Sequence, residues 1–541
     1  MLSKHQVQLA AGLFAIALIC TVTVAAAGKS FLTNRLIVKF VNPEEVSAAQ
    51  LGRLSGRAGI ALTARRTMSY KARVLTLPGW VSNEVAAGIA ARVAADPAVE
   101  YAEPDRLKRP AFVPGDPLYF QQWSLYEDAG GARLPDAWDQ ERGTANIVIA
   151  LLDSGILSHG DFDPAREVTG YDFIDDRDRA NDGDRRDADP ADPGDWVAAS
   201  ECGPGEPAES SSWHGTQVAG LVGAASDNAA GIAGVNHGSR LLMARVLGKC
   251  GGFTSDVVDA LRWVAGLRVA GVPDNNSPAR VINLSLGGDG PCTRLEQQAI
   301  DEVTARGAVV IVAAGNEAGE VADHSPANCA GVITVAATTR SGSRAAYTNT
   351  GSGVDLSAPG GDSGDAIPSL SNTGSTVPAA DDYWFLSGTS FAAAHVSGIA
   401  GLMLSANGDL NPQQVRDILS ASARPFADAS CNPPACGAGI VDASAAVQLA
   451  AITQGQPDSD QDGVNDVMDF CPGTSAASLV DTNGCSPGQL NGKGGGGGGS
   501  GGGGCTLSPA RTFDPLFPLL ALAAALPIAA RRVARDRRLP R

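Results

Sequence analysis

Positive charge is scarce in this chain. Its 541 residues hold 41 Lys and Arg against 58 Asp and Glu, a formal charge of −17, and the pI is near 4.8. That balance argues against nucleic acid as a partner, because binding to a phosphate backbone runs on clustered cations. Aromatics make up only 5%, and part of the 65 glycines fall in one low-complexity run. No Cys-x-x-Cys pair occurs among the ten cysteines, which weighs against a thiolate metal centre. If they pair, the cysteines instead point to an oxidising compartment. Apolar runs suited to a stable membrane span are also lacking: Leu9–Val24 is short, and Leu516–Ala530 is short and holds Pro518 and Pro527. The length exceeds one ordinary domain and leaves room for segments removed in processing.

The N-terminus has the pattern of a secretory signal over 1–27. Lys4 and His5 precede Leu9–Val24, and Ala25-Ala26-Ala27 offers a small-residue cleavage site; an uncleaved anchor is the alternative. Residues 34–108 read as a separate piece. Arg35–Val41 and Arg73–Leu77 are strand-like, rich in branched residues and bounded by turn formers. Val81–Ala95 is helix-like, with Ser82 as N-cap and Val85, Ile89 and Val93 on one face, and Val99–Ala102 offers another strand. Beyond residue 117 the near-continuous apolar runs Ile147–Leu152, Leu241–Val246, Val281–Leu286, Val309–Ala314 and Val332–Ala336 suit a parallel sheet covered on both faces. Helical stretches such as Asp256–Leu267 and Leu295–Arg306 lie between them, and Asn411-Pro412 reads as a capped helix start. The expected fold is α/β, a three-layer sandwich with a mainly parallel central sheet. Chemistry in such sheets lies beyond the carboxyl ends of the strands, and Asp153 and Asn316 each stand at such an end.

Three small-residue contexts hold an acid, a base and a nucleophile in chain order: Asp153-Ser154-Gly155, His214-Gly215-Thr216 and Gly388-Thr389-Ser390, with Asn316 in Ala313-Ala314-Gly315-Asn316 between the last two. Singly these are turns, loops and helix starts. Together they supply what acyl transfer needs: a hydroxyl nucleophile, a base within reach, a carboxylate to fix the base's tautomer and a donor for the oxyanion. After Ser390 come Ala392, Ala393, Ala394, Ser397, Gly398, Ala400 and Gly401. A helix that small can run through the core, which sets Ser390 at its N-terminus, where free N–H groups favour developing negative charge.

In the blocks Ile147–Ile156, His214–Gly223, Val281–Gly288, Val309–Asn316 and Gly388–Met403, roughly residues 117–450 resemble the subtilases, the subtilisin-like serine endopeptidases. The order Asp, His, Ser is that of subtilisin. Gln217 stands where many members have His, Phe391 where Met is common and Ala394 where Pro is common. The resemblance implies Ser390 as nucleophile, His214 as base, Asp153 as its orienting carboxylate and Asn316 as oxyanion donor. It implies a cleft for an extended polypeptide walled by Ser285, Leu286, Gly287, Gly288 and by Ala313, Ala314, Gly315, uncharged walls that hint at apolar or permissive preference. It further implies no catalytic cofactor, a peptidase domain over 110–452, and an α+β, ferredoxin-like propeptide over 28–109 that acts as folding template and inhibitor. Similarity to a secreted bacterial subgroup implies the disulfides Cys202–Cys250, Cys292–Cys329 and Cys431–Cys436. The acidic run Asp172–Asp195 reads as a calcium loop or a solvated one.

The tail adds its own pattern. Asp458, Asp460, Asp462, Asp466 and Asp469 with Gly463 offer the alternate carboxylates and turn that a calcium ion requires, without the closing Glu of an EF-hand. Residues 457–487 resemble a thrombospondin type 3 repeat, which implies structural calcium and a Cys471–Cys485 disulfide; an acidic linker is the alternative. Residues 488–504 are a Gly-rich linker. The apolar, Arg-tailed segment 505–541 resembles a sorting signal read by an intramembrane protease, or else a simple transmembrane anchor. A secreted or surface-displayed endopeptidase is expected. A catalytically inactive relative is the rival, and a lipase-like hydrolase is disfavoured because no Gly-x-Ser-x-Gly elbow surrounds Ser390.

Overall fold

The computed structural model describes residues 32–42, 47–106, 112–429, 431, 434–453 and 474. The expected signal over 1–27, the expected calcium ligands Asp458–Asp469, and the expected linker and sorting segment lie outside the described residues.

The N-terminal piece runs β1 (Leu32–Phe40), α1 (Ala48–Ala58), β2 (Thr63–Thr67), β3 (Arg73–Ser82), α2 (Asn83–Ala94) and β4 (Val99–Pro104). Its four strands pair antiparallel in the order β2-β3-β1-β4, the split β-α-β arrangement of ferredoxin-like folds. Leu36, Val38 and Leu75 from the sheet meet Leu54, Ile89 and Val93 from the helices. Val85, expected on the buried face of α2, is exposed, and Ala86 and Ala90 take that face with Ile89 and Val93. Two elements escaped the sequence reading. The start of α1 is a capping box between Ser47 and Gln50, a legible signal. Strand β2 is exposed along its whole length and so shows no apolar pattern.

The larger piece is built on β5 (Val148–Asp153), β6 (Glu167–Asp172), β7 (Arg240–Arg245), β8 (Val281–Leu284), β10 (Val309–Ala313), β12 (Ile333–Thr338) and β13 (Leu356–Pro359). They form one seven-stranded sheet in the order β13-β12-β10-β8-β5-β7-β6, parallel at every pairing. Strand alternation divides the core in two: Ile149, Leu151, Val309 and Ile311 face one side, and Val148, Ala150, Leu152, Val310 and Val312 the other. The first side is covered by α3 (His214–Gly223), α6 (Thr389–Ala406), α7 (Pro412–Ser422) and α8 (Ala443–Ile452), the second by α4 (Thr254–Val264) and α5 (Arg294–Thr304). This is the three-layer sandwich expected. Strands β6 and β13, absent from the sequence reading, are the two edges of the sheet, where a strand needs no continuous apolar run. The short β9 (Gly288–Asp289) and β11 (His324–Ser325) pair antiparallel, as do β14 (Ile367–Asn372) and β15 (Asp381–Leu386).

Helix α6 is 18 residues long and apolar enough to span a bilayer, yet it is buried in the protein. Its small residues serve that burial: a Cβ on Gly401 would stand 2.7 Å from Ile149 of β5. Asn411 caps α7 with Pro412 at its first position, as the sequence indicates. The disulfides Cys202–Cys250, Cys292–Cys329 and Cys431–Cys436 are all formed.

Candidate active site

Strands β10, β8 and β5 are neighbours in the sheet, so their carboxyl ends bring Asn316, Ser285 and Asp153 side by side. Asp153 is the last residue of β5 and fully buried. Its Oδ1 lies 2.7 Å from His214 Nδ1 and accepts the Ser154 N–H at 2.8 Å. A carboxylate only accepts, so Nδ1 of the neutral imidazole carries the proton and Nε2 keeps a free lone pair.

His214 opens α3, and two glycines let that helix start meet the end of β5. Gly155 has φ +114°, and a Cβ on Gly215 would stand 2.1 Å from the Gly155 carbonyl oxygen. Burial pulls the His214 imidazole down, but the charge and hydrogen bond of Asp153, followed by the charges of Asp195 and Asp192, outweigh it and hold its pKa above the ordinary histidine value.

Ser390 is the second residue of α6 and 8% exposed. Its hydroxyl donates to the Ser285 carbonyl at 3.2 Å, and the Ser285 hydroxyl donates to the Ser390 carbonyl at 2.9 Å. Asn283 Nδ2 donates to Ser285 Oγ at 2.9 Å, and Asn283 Oδ1 accepts the Ser397 hydroxyl at 2.9 Å. Thus Ser285, expected only as cleft wall, clamps the backbone of Ser390. The His214 ring lies beside the same helix, with its centroid 6.4 Å from that of Phe391. Among the described residues, no hydrogen bond joins Ser390 to His214.

Asn316 is exposed. Its Oδ1 accepts both the Thr389 N–H at 2.9 Å and the Thr389 hydroxyl at 3.0 Å. Both bonds need an oxygen, so the amide's orientation is fixed and Nδ2 is its free face, 3.8 Å from the Cβ position of Gly388. Thr389 Oγ1 also accepts the Gly315 N–H at 3.2 Å. Thr389 therefore ties the β10 end to the start of α6, a role that the sequence motif does not announce.

Gly287 and Gly288 are exposed, Leu286 is half-buried, and Ala313, Ala314 and Gly315 are buried. The walls themselves are uncharged, but two ionisable groups missed by sequence reasoning stand against them. A Cβ on Gly287 would lie 2.3 Å from His324 Nε2, and one on Gly315 2.6 Å from Glu317 Oε2. His324 Nδ1 and Glu317 Oε2 are 3.6 Å apart. Of the departures from the family pattern, Gln217 is buried and donates from Nε2 to the Ser212 carbonyl at 2.7 Å. Part of the acidic run turns inward: Asp172 and Asp182 hold the buried Arg245, and Asp192 and Asp195 accept from Ser154 and Ser212, while Asp175, Asp176, Asp178, Asp184 and Asp189 are exposed.

Residues 144–465 match the subtilase family. An extracellular protease of Xanthomonas campestris is 46% identical over 66% of this chain and 61% of its own length. An extracellular basic protease of Dichelobacter nodosus is 39% identical over 72% of this chain and 65% of its own. The chain thus spans about three fifths to two thirds of those relatives. A solved protease structure from Pseudoalteromonas arctica is 46% identical, covers 63% of this chain and all of its own, and superposes with a TM-score of 0.61. The chain belongs to the subtilase family.

Proposed function

We propose that the protein is a secreted serine endopeptidase that hydrolyses peptide bonds in extended polypeptides through an acyl-enzyme. The observation that carries this reading is the Asp153–His214 hydrogen bond of 2.7 Å, formed beside the helix start that holds Ser390. The Ser390 hydroxyl turns from Ser285 to His214 Nε2, which takes its proton as oxygen attacks the scissile carbonyl. Asp153 keeps the tautomer and stabilises the imidazolium. The oxyanion receives the Asn316 Nδ2 donor and the N–H of Ser390 at the start of α6. The imidazolium then protonates the leaving amine, and a water, activated by the neutral imidazole, releases the acyl group. Gly288, with nothing within 4 Å of its Cβ position, leaves room for the substrate backbone to lie along the walls as an added strand.

The names of the relatives support secretion, and the apolar N-terminal stretch fits it. In this reading, residues 28–109 are the inhibitory propeptide, with processing between Pro104 and Pro117. Residues 457–487 bind calcium as a structural ion, and 505–541 direct surface attachment or release through an intramembrane protease. The test is digestion of casein by the secreted protein, with sequencing of the new amino termini. Internal cleavage that disappears in Ser390→Ala supports the proposal. A folded, processed protein that leaves casein intact favours the inactive relative.

A further inference from the structure

The start of α3 is held by a second set of carboxylates. Trp213, just before His214, is fully buried with φ +54°, a left-handed conformation that is strained for a bulky residue and persists only where its surroundings enforce it. On one side its indole N–H donates to the Gly374 carbonyl at 2.8 Å. On the other stands Ser212, bound through every polar atom it has. Its N–H and hydroxyl both donate to Asp195 at 2.6 Å. Its Oγ accepts the His214 N–H at 3.2 Å, and its carbonyl accepts from Gln217. Asp192 makes a parallel contact: it accepts the Ser154 hydroxyl at 2.8 Å, and that oxygen accepts the Gly215 N–H at 3.0 Å. The backbone around Asp192 packs against the turn after Asp153, where a Cβ on Gly155 would come within 2.9 Å of its nitrogen.

We infer that Asp192 and Asp195 are positioning residues for His214, fixing the start of its helix and bringing two further negative charges to bear on its imidazole. This rests on the reading of His214 as the general base. The groups that face the imidazole's surroundings are Asp153 from β5 and Asp192 and Asp195 from the acidic loop. The cation on this side is Arg245, which donates to the Ser154 carbonyl at 3.2 Å and is paired with Asp172 and Asp182. Burial, with the charge of Asp195 next, pushes Asp192 up to about 7, so its charge bears on the imidazole only as its carboxyl ionises through that range. A base needs its neutral form, so carboxylates that favour the imidazolium move the acid limb of activity to higher pH.

The test follows the imidazole resonances of the full chain, which has six histidines, by NMR in a Ser390→Ala background. Asp195→Asn is expected to lower the His214 pKa by roughly half a unit, and Asp192→Asn/Asp195→Asn together by roughly one. Asp195→Glu, which keeps the charge, should hold it near the parent value. Ser212→Ala, which keeps the carboxylate but cuts its bond to the helix, should shift it less than Asp195→Asn. Unchanged titration in Asp195→Asn, or equal shifts in the Asn and Glu variants, would overturn the inference. Because the titration reads the imidazole directly, it decides the matter even if the protein proves inactive, whereas loss of the endopeptidase reading is seen in casein digestion.

Discussion

Replacing Gly215 with alanine should displace His214 while removing none of the proposed reacting groups. The added Cβ would stand 2.1 Å from the Gly155 carbonyl oxygen, where real contacts essentially never fall under 3.0 Å. Both partners are backbone, so no side chain can swing away. The helix start or the Asp153–Gly155 turn must retreat by about 1 Å. The His214–Asp153 bond, now 2.7 Å, would then pass the ~3.2 Å limit of a good N–H···O bond. A displacement of about 1 Å at a catalytic group costs on the order of 10²-fold, and overpacking costs roughly 1–3 kcal/mol of stability. Kinetics on an internally quenched peptide should show kcat down about a hundredfold with KM little changed. Melting in the Ser390→Ala background should show a modest loss. A folded Gly215→Ala variant with kcat within about threefold of the parent would refute the claim that this backbone contact sets the geometry of the base.

Asn316→Ala should lower kcat by about 10²–10³ with little change in KM, the cost known for the equivalent donor in subtilisin, a relative; a stopped-flow or steady-state comparison checks it. Because Asp192 is pushed up from 3.8 to about 7 by burial, its carboxyl takes up a proton on folding between those values. Its stabilising contribution is full below about 3.8 and lost as pH rises through about 7. The stability of Asp192→Asn relative to the parent, read from urea midpoints, should therefore rise across that window. Cys292 and Cys329 are 37 residues apart, so Cys292→Ser/Cys329→Ser should lose about 4 kcal/mol on the chain-entropy model, read from the same unfolding curves.

The candidate site was legible wherever its residues sit at the end of an apolar run. Asp153 ends, and Asn316 follows, a strand whose alternating faces are both buried, and the small residues after Ser390 mark a helix that must cross the core. What stayed hidden was reached through loops. Asp192 and Asp195 are far from His214 in sequence, and nothing in an acidic run shows which carboxylates turn inward. His324 reaches the cleft from a two-residue strand, too short to carry a pattern. Thr389 reads as part of a motif until Asn316 Oδ1 is seen bound to it. Edge strands β6 and β13, which carry only isolated bridges on their outer sides, give too weak an apolar signal to be read in advance.

Covalent labelling of the secreted, processed protein with a fluorophosphonate probe, alongside Ser390→Ala, tests the catalytic reading most directly. Labelling of the parent that maps to Ser390, and none in the variant, is the predicted result. A protein that has lost its propeptide, keeps its fold and still fails to react would contradict it.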